Sequence, residues 1–336
     1  RLLGPGDKLA DYAGESGPAG MPGKLTHAMA FVEGTDLPSQ ETGRVQSIEG
    51  IAPDAFSKNV AEDLSGGRDL LIFIHGFANS FSDALTRAAF NRVWFSEGGA
   101  DCTVVAFSWP SAGVVLDPAM LLPGFLLAPI NLLLDKLEAS PLAGAYLADQ
   151  AAADASAADL TSFLDRLRPI AQKVRAGGRR VFLLCHSMGN RAMEGTLANW
   201  ANMGLPADIL FDEAISASAD TAFQAKAGGG PDWLMHLGKV SEGVSVYFSR
   251  ADIILKLSKR VNHVQRLGDN GPVDLDLPDR YPISRFRFVD CSELKDREPD
   301  GGIDKSHQFY RRLPKVRDDI GKLLQGVAAV GHLKLT

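Results

Sequence analysis

The length, composition and charge of the chain exclude several classes of protein. Its 336 residues, 45% hydrophobic and 8% aromatic, suffice for one large domain and argue against a disordered chain. A formal net charge of −6 at pH 7 gives no reason to expect nucleic acid as a partner.

The chain carries no cysteine pattern of a disulfide framework or a metal site. Cys102, Cys185 and Cys291 are too few for the first and lack the CxxC or Cys/His spacing of the second. The sequence leaves undecided whether Cys102 and Cys291 form a single disulfide bridge. The first residues show no basic segment followed by a continuous apolar core, so we expect no signal peptide and favour a cytoplasmic location.

The chain is predicted to start with a loose arm and continue as one domain. Residues 1–24 are rich in Gly, Pro and charge, and we expect them to be loosely ordered. Residues 25–330 form the predicted domain. It starts with a strand in 25–34 and a helix in 53–65, whose proline suits a first helical turn.

Short apolar runs of strand type then recur along the chain, separated by helical patterns such as 82–95 and 190–203. Buried strands that alternate with helices are typical of a mainly parallel sheet flanked by helices. The runs are DLLIFIHGF (69–77), CTVVAFSWP (102–110), RRVFLLCHSMG (179–189), ADILFDEAIS (207–216), GVSVYFSRAD (243–252) and FRFVDCSE (286–293).

An apolar segment at 114–145 interrupts this alternation. Four prolines divide it, so no stretch reaches the roughly 20 residues of a membrane-spanning helix. Two interpretations remain: a buried helical hairpin, or a helical lid over an active site that also contacts lipid surfaces. An amphipathic helix at 151–174 follows.

The stretch LLCHSMGNRA (183–192) predicts a nucleophile. A strand, then x-Ser-x-Gly, then a helix is the nucleophile elbow, a sharp turn that exposes a serine above the sheet. Ser187 would be that serine, with Gly189 at the second small position and Cys185 where glycine is usual. The alternative role of Ser187 is a helix N-cap.

Such a serine needs a histidine base, and the chain order in this architecture is Ser, acid, His. Of the four histidines beyond Ser187, His307 follows the last predicted strand in a loop and is our choice. His263 is a competitor, and we expect His236 and His332 to be structural.

Two aspartates compete for the acid that orients the base. Asp252 stands at the end of the next-to-last predicted strand and is our choice. Asp220 follows the preceding strand and is the alternative. Each also precedes a helical pattern, where an N-cap aspartate is common.

The negative oxygen of a tetrahedral intermediate needs N–H donors. We predict the Met188 N–H, after the nucleophile, and the Phe77 N–H in the HGFANSF loop, with Ala78 as the substitute for Phe77.

Three further residues are candidates for the rim of the pocket. His75 is expected to organise the HGFANSF loop. Trp109 and Ser111, after the second strand-type run, are expected to line the pocket, with a packed tryptophan as the alternative.

These motifs together resemble a family. The combination of FIHGF, VVAFSWPSAG, LLCHSMGNRAM, SASADTAFQ, VYFSRADIILKLSKRV, RLGDNGP and a terminal histidine is similar to a bacterial, esterase/lipase-like branch of the α/β-hydrolase superfamily whose function is largely unknown. The similarity spans roughly residues 69–312. It implies an α/β-hydrolase fold and a Ser-Asp-His triad of Ser187, Asp252 and His307, but no substrate.

We therefore expect a serine hydrolase of small carboxylic esters, with a hydrophobic acyl or aryl part, acting without metal or organic cofactor. Esterase, lipase, thioesterase and lactonase activities stay open, as does the oligomeric state. The alternative is a non-catalytic interaction or membrane-surface protein on a hydrolase scaffold, whose serine would not react with a fluorophosphonate.

Overall fold

A computed structural model describes residues 25, 27–33, 44–111, 141–206, 208–225, 229, 231–296 and 306–336. Seven strands form a parallel sheet in the order β4-β3-β5-β6-β7-β8-β9, and β1 and β2 form a separate antiparallel pair. The strands are β1 (His27–Glu33), β2 (Arg44–Ile51), β3 (Asp69–Ile74), β4 (Cys102–Phe107), β5 (Val181–His186), β6 (Phe211–Ala217), β7 (Ser241–Phe248), β8 (Phe286–Asp290) and β9 (Gly331–Lys334).

Helices connect the strands, as parallel neighbours require. The described helices are α1 (Pro53–Leu64), α2 (Phe81–Glu97), α3 (Pro141–Ala155), α4 (Ala157–Ala176), α5 (Gly189–Met203), α6 (Asp232–Val240), α7 (Ile253–Asn262), α8 (Leu267–Asn270), α9 (Phe309–Arg312) and α10 (Pro314–Leu324).

The apolar runs become strands because both faces of the sheet are covered. Successive side chains of a strand point to opposite faces. In β3, Leu70, Ile72 and Ile74 join one core, which α1 and α3 to α6 cover. Leu71 and Phe73 join the other, under α2, α9 and α10. This parallel sheet between two helical layers is the predicted fold.

Two strands escaped the sequence patterns. β2 is largely polar, and Ile48 is its one fully buried residue. β9 is a short edge strand with exposed side chains that pairs only with β8. The predicted domain boundary at 330 therefore falls just short of a strand of the main sheet.

The predicted helix at 151–174 is in fact parts of two helices. α3 ends at Ala155 and α4 begins at Ala157, and the Ser156 hydroxyl between them donates back to the Ala152 carbonyl. Residues 141–145 of the predicted apolar segment start α3, while 114–140 and the predicted arm 1–24 lie outside the described residues. No described helix combines the length and apolarity needed to cross a membrane.

Candidate active site

Ser187 occupies a sharp turn between β5 and α5. Its φ of 51° lies in the left-handed region that non-glycine residues rarely adopt. The backbone around it is held, because the Ser187 N–H donates to the Ala217 carbonyl at 2.9 Å and its carbonyl accepts from the Asp220 N–H at 3.1 Å. The strand, turn and helix that the sequence predicted are therefore present.

Two glycines make room for this turn. A Cβ on Gly189 would lie 2.5 Å from the His75 carbonyl oxygen, and a Cβ on Gly76 would lie 2.8 Å from the Ser187 Cβ. Cys185, which replaces a usual glycine, points into the core from β5. The steric requirement thus falls on Gly76 and Gly189.

Asn190 braces the elbow and was missed by the sequence patterns. Its amide Nδ2 donates to the carbonyls of Cys185 and Ser187, each at 3.1 Å. Its Oδ1 accepts from the Ser216 hydroxyl at 2.7 Å, which ties the elbow to β6. A polar residue on the first turn of a buried helix was the available signal.

The structure brings Ser187, His307 and Asp252 into one hydrogen-bonded row. His307 Nε2 lies 3.1 Å from Ser187 Oγ, and His307 Nδ1 lies 2.7 Å from Asp252 Oδ2. An ionised carboxylate can only accept, so Nδ1 carries a proton and Nε2 is free to take one from the serine. All three side chains are buried.

Asp252 makes both of the contacts that its position suggested, one to a helix N-terminus and one to a histidine. Its Oδ1 accepts from the Leu255 N–H at 2.9 Å and caps α7, while Oδ2 accepts from His307. Burial raises the pKa of Asp252, and the hydrogen bonds from His307 and Leu255 act in the opposite direction. The capping bond therefore fixes the carboxylate that holds the histidine.

The main chain of His307 is held by two donors that the sequence did not reveal. Its carbonyl accepts from His186 Nε2 at 3.1 Å and from the Ser218 hydroxyl at 3.2 Å. Burial, reinforced by His307, lowers the pKa of His186 well below its ordinary value, so its ring is neutral. Ser306, just before His307, has a positive φ of 46°. The histidine is thus presented on a constrained turn.

Asp220, the alternative acid, is bound elsewhere. Arg266 Nε donates to its Oδ1 at 2.8 Å, and both side chains are almost fully buried. The Tyr146 hydroxyl donates to Oδ2 at 2.8 Å, and the Ser258 hydroxyl donates to Oδ1. Both oxygens of Asp220 are therefore occupied, and His307 faces Asp252.

Two backbone N–H groups near Ser187 are available as donors. Within the described part of the chain, the N–H groups of Phe77 and Met188 have no hydrogen-bond partner. Met188 also precedes α5, whose N-terminal end carries partial positive charge. The Ala78 N–H, the predicted substitute, instead donates to Asp149 Oδ2 at 3.3 Å.

His75 and Trp109 form a packed pair beneath the loop. Their rings stack at 5.0 Å, and Trp109 donates its indole N–H to the His75 carbonyl and its backbone N–H to His75 Nε2. His75 Nδ1 therefore donates to the Gly76 carbonyl. Burial lowers the pKa of His75 to about 4, so the ring is neutral. His75 thus contacts the loop at Gly76, and the Trp109 side chain is buried against the ring of His75.

Ser111 contacts the same loop through its hydroxyl. Its hydroxyl donates to Asp149 Oδ2 and accepts from the Asn79 N–H at 3.2 Å. Asn79 in turn donates from Nδ2 to the carbonyls of Gly76 and Phe77. The loop conformation rests on side chains of α3 and of the segment after β4.

The described residues hold neither a disulfide bridge nor a candidate metal cluster. Cys102, Cys185 and Cys291 are free and buried, so the bridge left open by the sequence is not formed. Among the described residues, no cluster of His, Cys, Asp and Glu could hold a metal ion.

Comparison with known proteins shows the family of the chain. The chain matches, over residues 52–321, the model of a family described as "Alpha/beta hydrolase of unknown function (DUF900)". No curated protein matches the chain significantly. The family match covers most of the chain and includes the elbow, both aspartates and His307.

Proposed function

The chain belongs to this family of alpha/beta hydrolases of unknown function, and from that premise we propose that it is a serine hydrolase of carboxylic esters. The observation that supports this most directly is the row from Ser187 through His307 to Asp252, with contacts of 3.1 and 2.7 Å. Nucleophile, base and orienting acid in hydrogen-bond contact are the requirements of acyl transfer through serine.

In the first half of the reaction, Ser187 Oγ attacks the ester carbonyl carbon while His307 Nε2 takes its proton. The carbonyl π electrons move to oxygen, and the N–H groups of Phe77 and Met188 stabilise that oxyanion. Asp252 keeps His307 in the required tautomer and stabilises the imidazolium. The intermediate then expels the alcohol, which receives the proton from His307, and leaves an acyl-serine.

In the second half, water replaces the alcohol. His307 takes one proton from water as the hydroxide oxygen attacks the acyl-serine carbonyl, and the same two N–H groups bind the new oxyanion. Collapse breaks the bond to Ser187 Oγ, which regains a proton from His307, and the carboxylic acid leaves. The cycle consumes one water per ester and needs no redox partner.

The sequence favours an ester with a hydrophobic acyl or aryl part. The apolar segment 114–145 lies between β4 and the body of α3, and both border the loop that carries Phe77. Apolar surface binds a substrate by the area it removes from water, at about 25 cal/mol per Å². A longer acyl chain should therefore gain more than acetate.

The first test is hydrolysis of p-nitrophenyl esters from acetate to palmitate by the wild type and Ser187→Ala. The proposal expects activity that falls by at least about 10³-fold in the variant, since the nucleophile is lost. Ser96→Ala, which removes an exposed hydroxyl bonded only within its own helix, is the matched control and should keep full activity.

A fluorophosphonate gives a second readout that does not depend on the chosen ester. The wild type should be labelled at Ser187, and Ser187→Ala should not. A wild type that neither hydrolyses esters nor reacts would contradict the proposal and favour a non-catalytic scaffold with an idle triad. A preference for acetate would contradict the proposed hydrophobic acyl part of the substrate, but not the proposed ester hydrolysis by Ser187.

A further inference from the structure

In the loop between β3 and α2, one N–H has no hydrogen-bond partner among the described residues, and the next three each have one. The Ala78 N–H donates to Asp149, the Asn79 N–H to Ser111, and the Ser80 N–H to Asp83 Oδ2 at 2.8 Å. Within the described chain, Phe77 alone of these four keeps an unpartnered N–H. Side chains outside the loop therefore occupy three of these four N–H groups and leave only that of Phe77 as a donor to a substrate.

Asp149 is central to this arrangement. Its Oδ2 accepts from both the Ala78 N–H and the Ser111 hydroxyl, and its side chain is 2% exposed. Ala78 has a φ of 56°, a conformation that costs an alanine roughly 1 kcal/mol, so an external contact is needed to keep it. A hydrogen bond to a buried carboxylate is strong enough to do so.

The helix that carries Asp149 contacts the loop at a second point. Tyr146, one turn earlier on α3, places its ring 5.7 Å from that of Phe77, and its hydroxyl is bound by Asp220. α3 therefore holds Phe77 through its ring and the following residue through its N–H.

We propose that Asp149 is a positioning residue that, together with Ser111, aims the Phe77 N–H at the oxyanion. The inference rests on the proposed function and deepens it, because it names what sets the geometry of one donor. Asp149 touches no substrate. It acts only through the orientation of a peptide group, which matters most in the transition state, where the oxygen carries charge.

The test compares Asp149→Ala with Asp149→Asn on the best p-nitrophenyl ester. The alanine variant should lose about 10- to 100-fold in kcat with KM within about twofold, because loss of a whole donor costs 10²–10³. Asparagine keeps an oxygen at the same place and should recover to within about threefold of the wild type, since the acceptor rather than the charge is required. Asp154→Ala is the control: Asp154 lies on α3 like Asp149, is half exposed and pairs with Arg191 of α5, and its loss should leave kcat unchanged.

The inhibition constant Ki of a trifluoromethyl ketone is a second measurement, which would not change if Asp149 only stabilised the fold. The ketone adds to Ser187 and forms a charged oxygen, so its Ki should rise in Asp149→Ala by the same factor as kcat falls. If Asp149→Ala does not fold, Ser111→Ala replaces it and should lower kcat about tenfold with an equal rise in Ki, since the hydrogen bonds of its hydroxyl to Asp149 and from the Asn79 N–H are both lost.

Failure of this inference differs from failure of the proposed function. An active wild type and dead Ser187→Ala, combined with unchanged kcat and Ki in Asp149→Ala, or in Ser111→Ala where that variant replaces it, would overturn the positioning role alone. A fall in kcat without the rise in Ki would overturn it as well. An active Ser187→Ala would overturn the proposed function itself.

Discussion

The ends of β6 and β7 differ in how each treats a buried aspartate. Asp220 follows β6 and Asp252 follows β7, and both are almost completely buried. Asp220 binds a guanidinium and two hydroxyls, whereas Asp252 binds one backbone N–H and the ring of His307. A carboxylate paired with a buried guanidinium stabilises the fold. A carboxylate that accepts a hydrogen bond from a histidine can also orient that histidine as a base.

The largest expected effect is on the β7 side. Asp252→Asn keeps an oxygen to cap α7 but presents an N–H to His307, which favours the tautomer that cannot accept the Ser187 proton. We expect kcat to fall by about 10⁴-fold with little change in the free energy of unfolding. Steady-state kinetics and urea unfolding check this, and a loss below about tenfold would mean that Asp252 does not orient the base.

On the β6 side, the expected effect is on stability. Asp220→Asn leaves Arg266 buried without its counter-charge, which costs about 3–5 kcal/mol in the free energy of unfolding. The kcat of the folded protein, measured well below the midpoint of thermal unfolding, should stay within about threefold of the wild type. A collapse of kcat comparable to that of Asp252→Asn would erase the distinction between the two strand ends.

Glu213, near the start of β6, is a third buried acid. It sharpens the comparison because burial outweighs the effect of the nearby cations on its pKa. Burial raises the pKa of Glu213 from 4.5 to about 7, against weaker opposing effects of Ser245 and Arg287. Between these pH values the folded state binds more protons than the unfolded state, so stability falls as pH rises, by about 3 kcal/mol in all.

Glu213→Gln cannot ionise and should escape this loss. Its free energy of unfolding, relative to the wild type, should therefore improve between pH 5 and pH 7 and level off by pH 8. Urea unfolding at unit pH steps measures the difference, and a gap that stays constant with pH would show that Glu213 does not titrate in this range.

The smallest expected effect separates two buried serines. Ser218 donates to the His307 carbonyl, and Ser258 donates to Asp220. Ser218→Ala should lower kcat about fivefold at constant KM, as expected for about 1 kcal/mol, whereas Ser258→Ala should change stability alone. Equal kcat in the two variants would mean that the carbonyl contact does not position the base.

The sequence predicted the parts of the fold that are buried on both sides. β3 and β5 are continuous apolar runs, which parallel strands between two helical layers require. β9 lies at an edge with exposed side chains and carries no such pattern. β2 likewise buries only one residue fully, so its role depends on its partner β1 rather than on its own composition.

Local sequence patterns located the candidate catalytic residues, but not the residues that hydrogen-bond to the site and hold it in place. Ser187 directly follows β5, Asp252 directly precedes α7 and His307 lies two residues before α9, and their roles stay predictions until the variants are measured. Arg266 lies 46 positions from Asp220, and Asp149 lies 71 positions from Ala78. Such contacts depend on how helices pack over the sheet, which a single sequence does not encode locally.

The contact between Ser111 and Asp149 also brings together two parts of the chain that are 38 positions apart. Asp149 lies eight positions after the first residue of α3, about 12 Å along the helix axis, so the start of α3 lies close to the place where Ser111 makes its contact. Closing a longer chain between fixed ends costs only about 0.6 kcal/mol per doubling of length. We therefore expect a change in the length of chain between Ser111 and α3 to cost little free energy of folding, because its two described ends are already held close together.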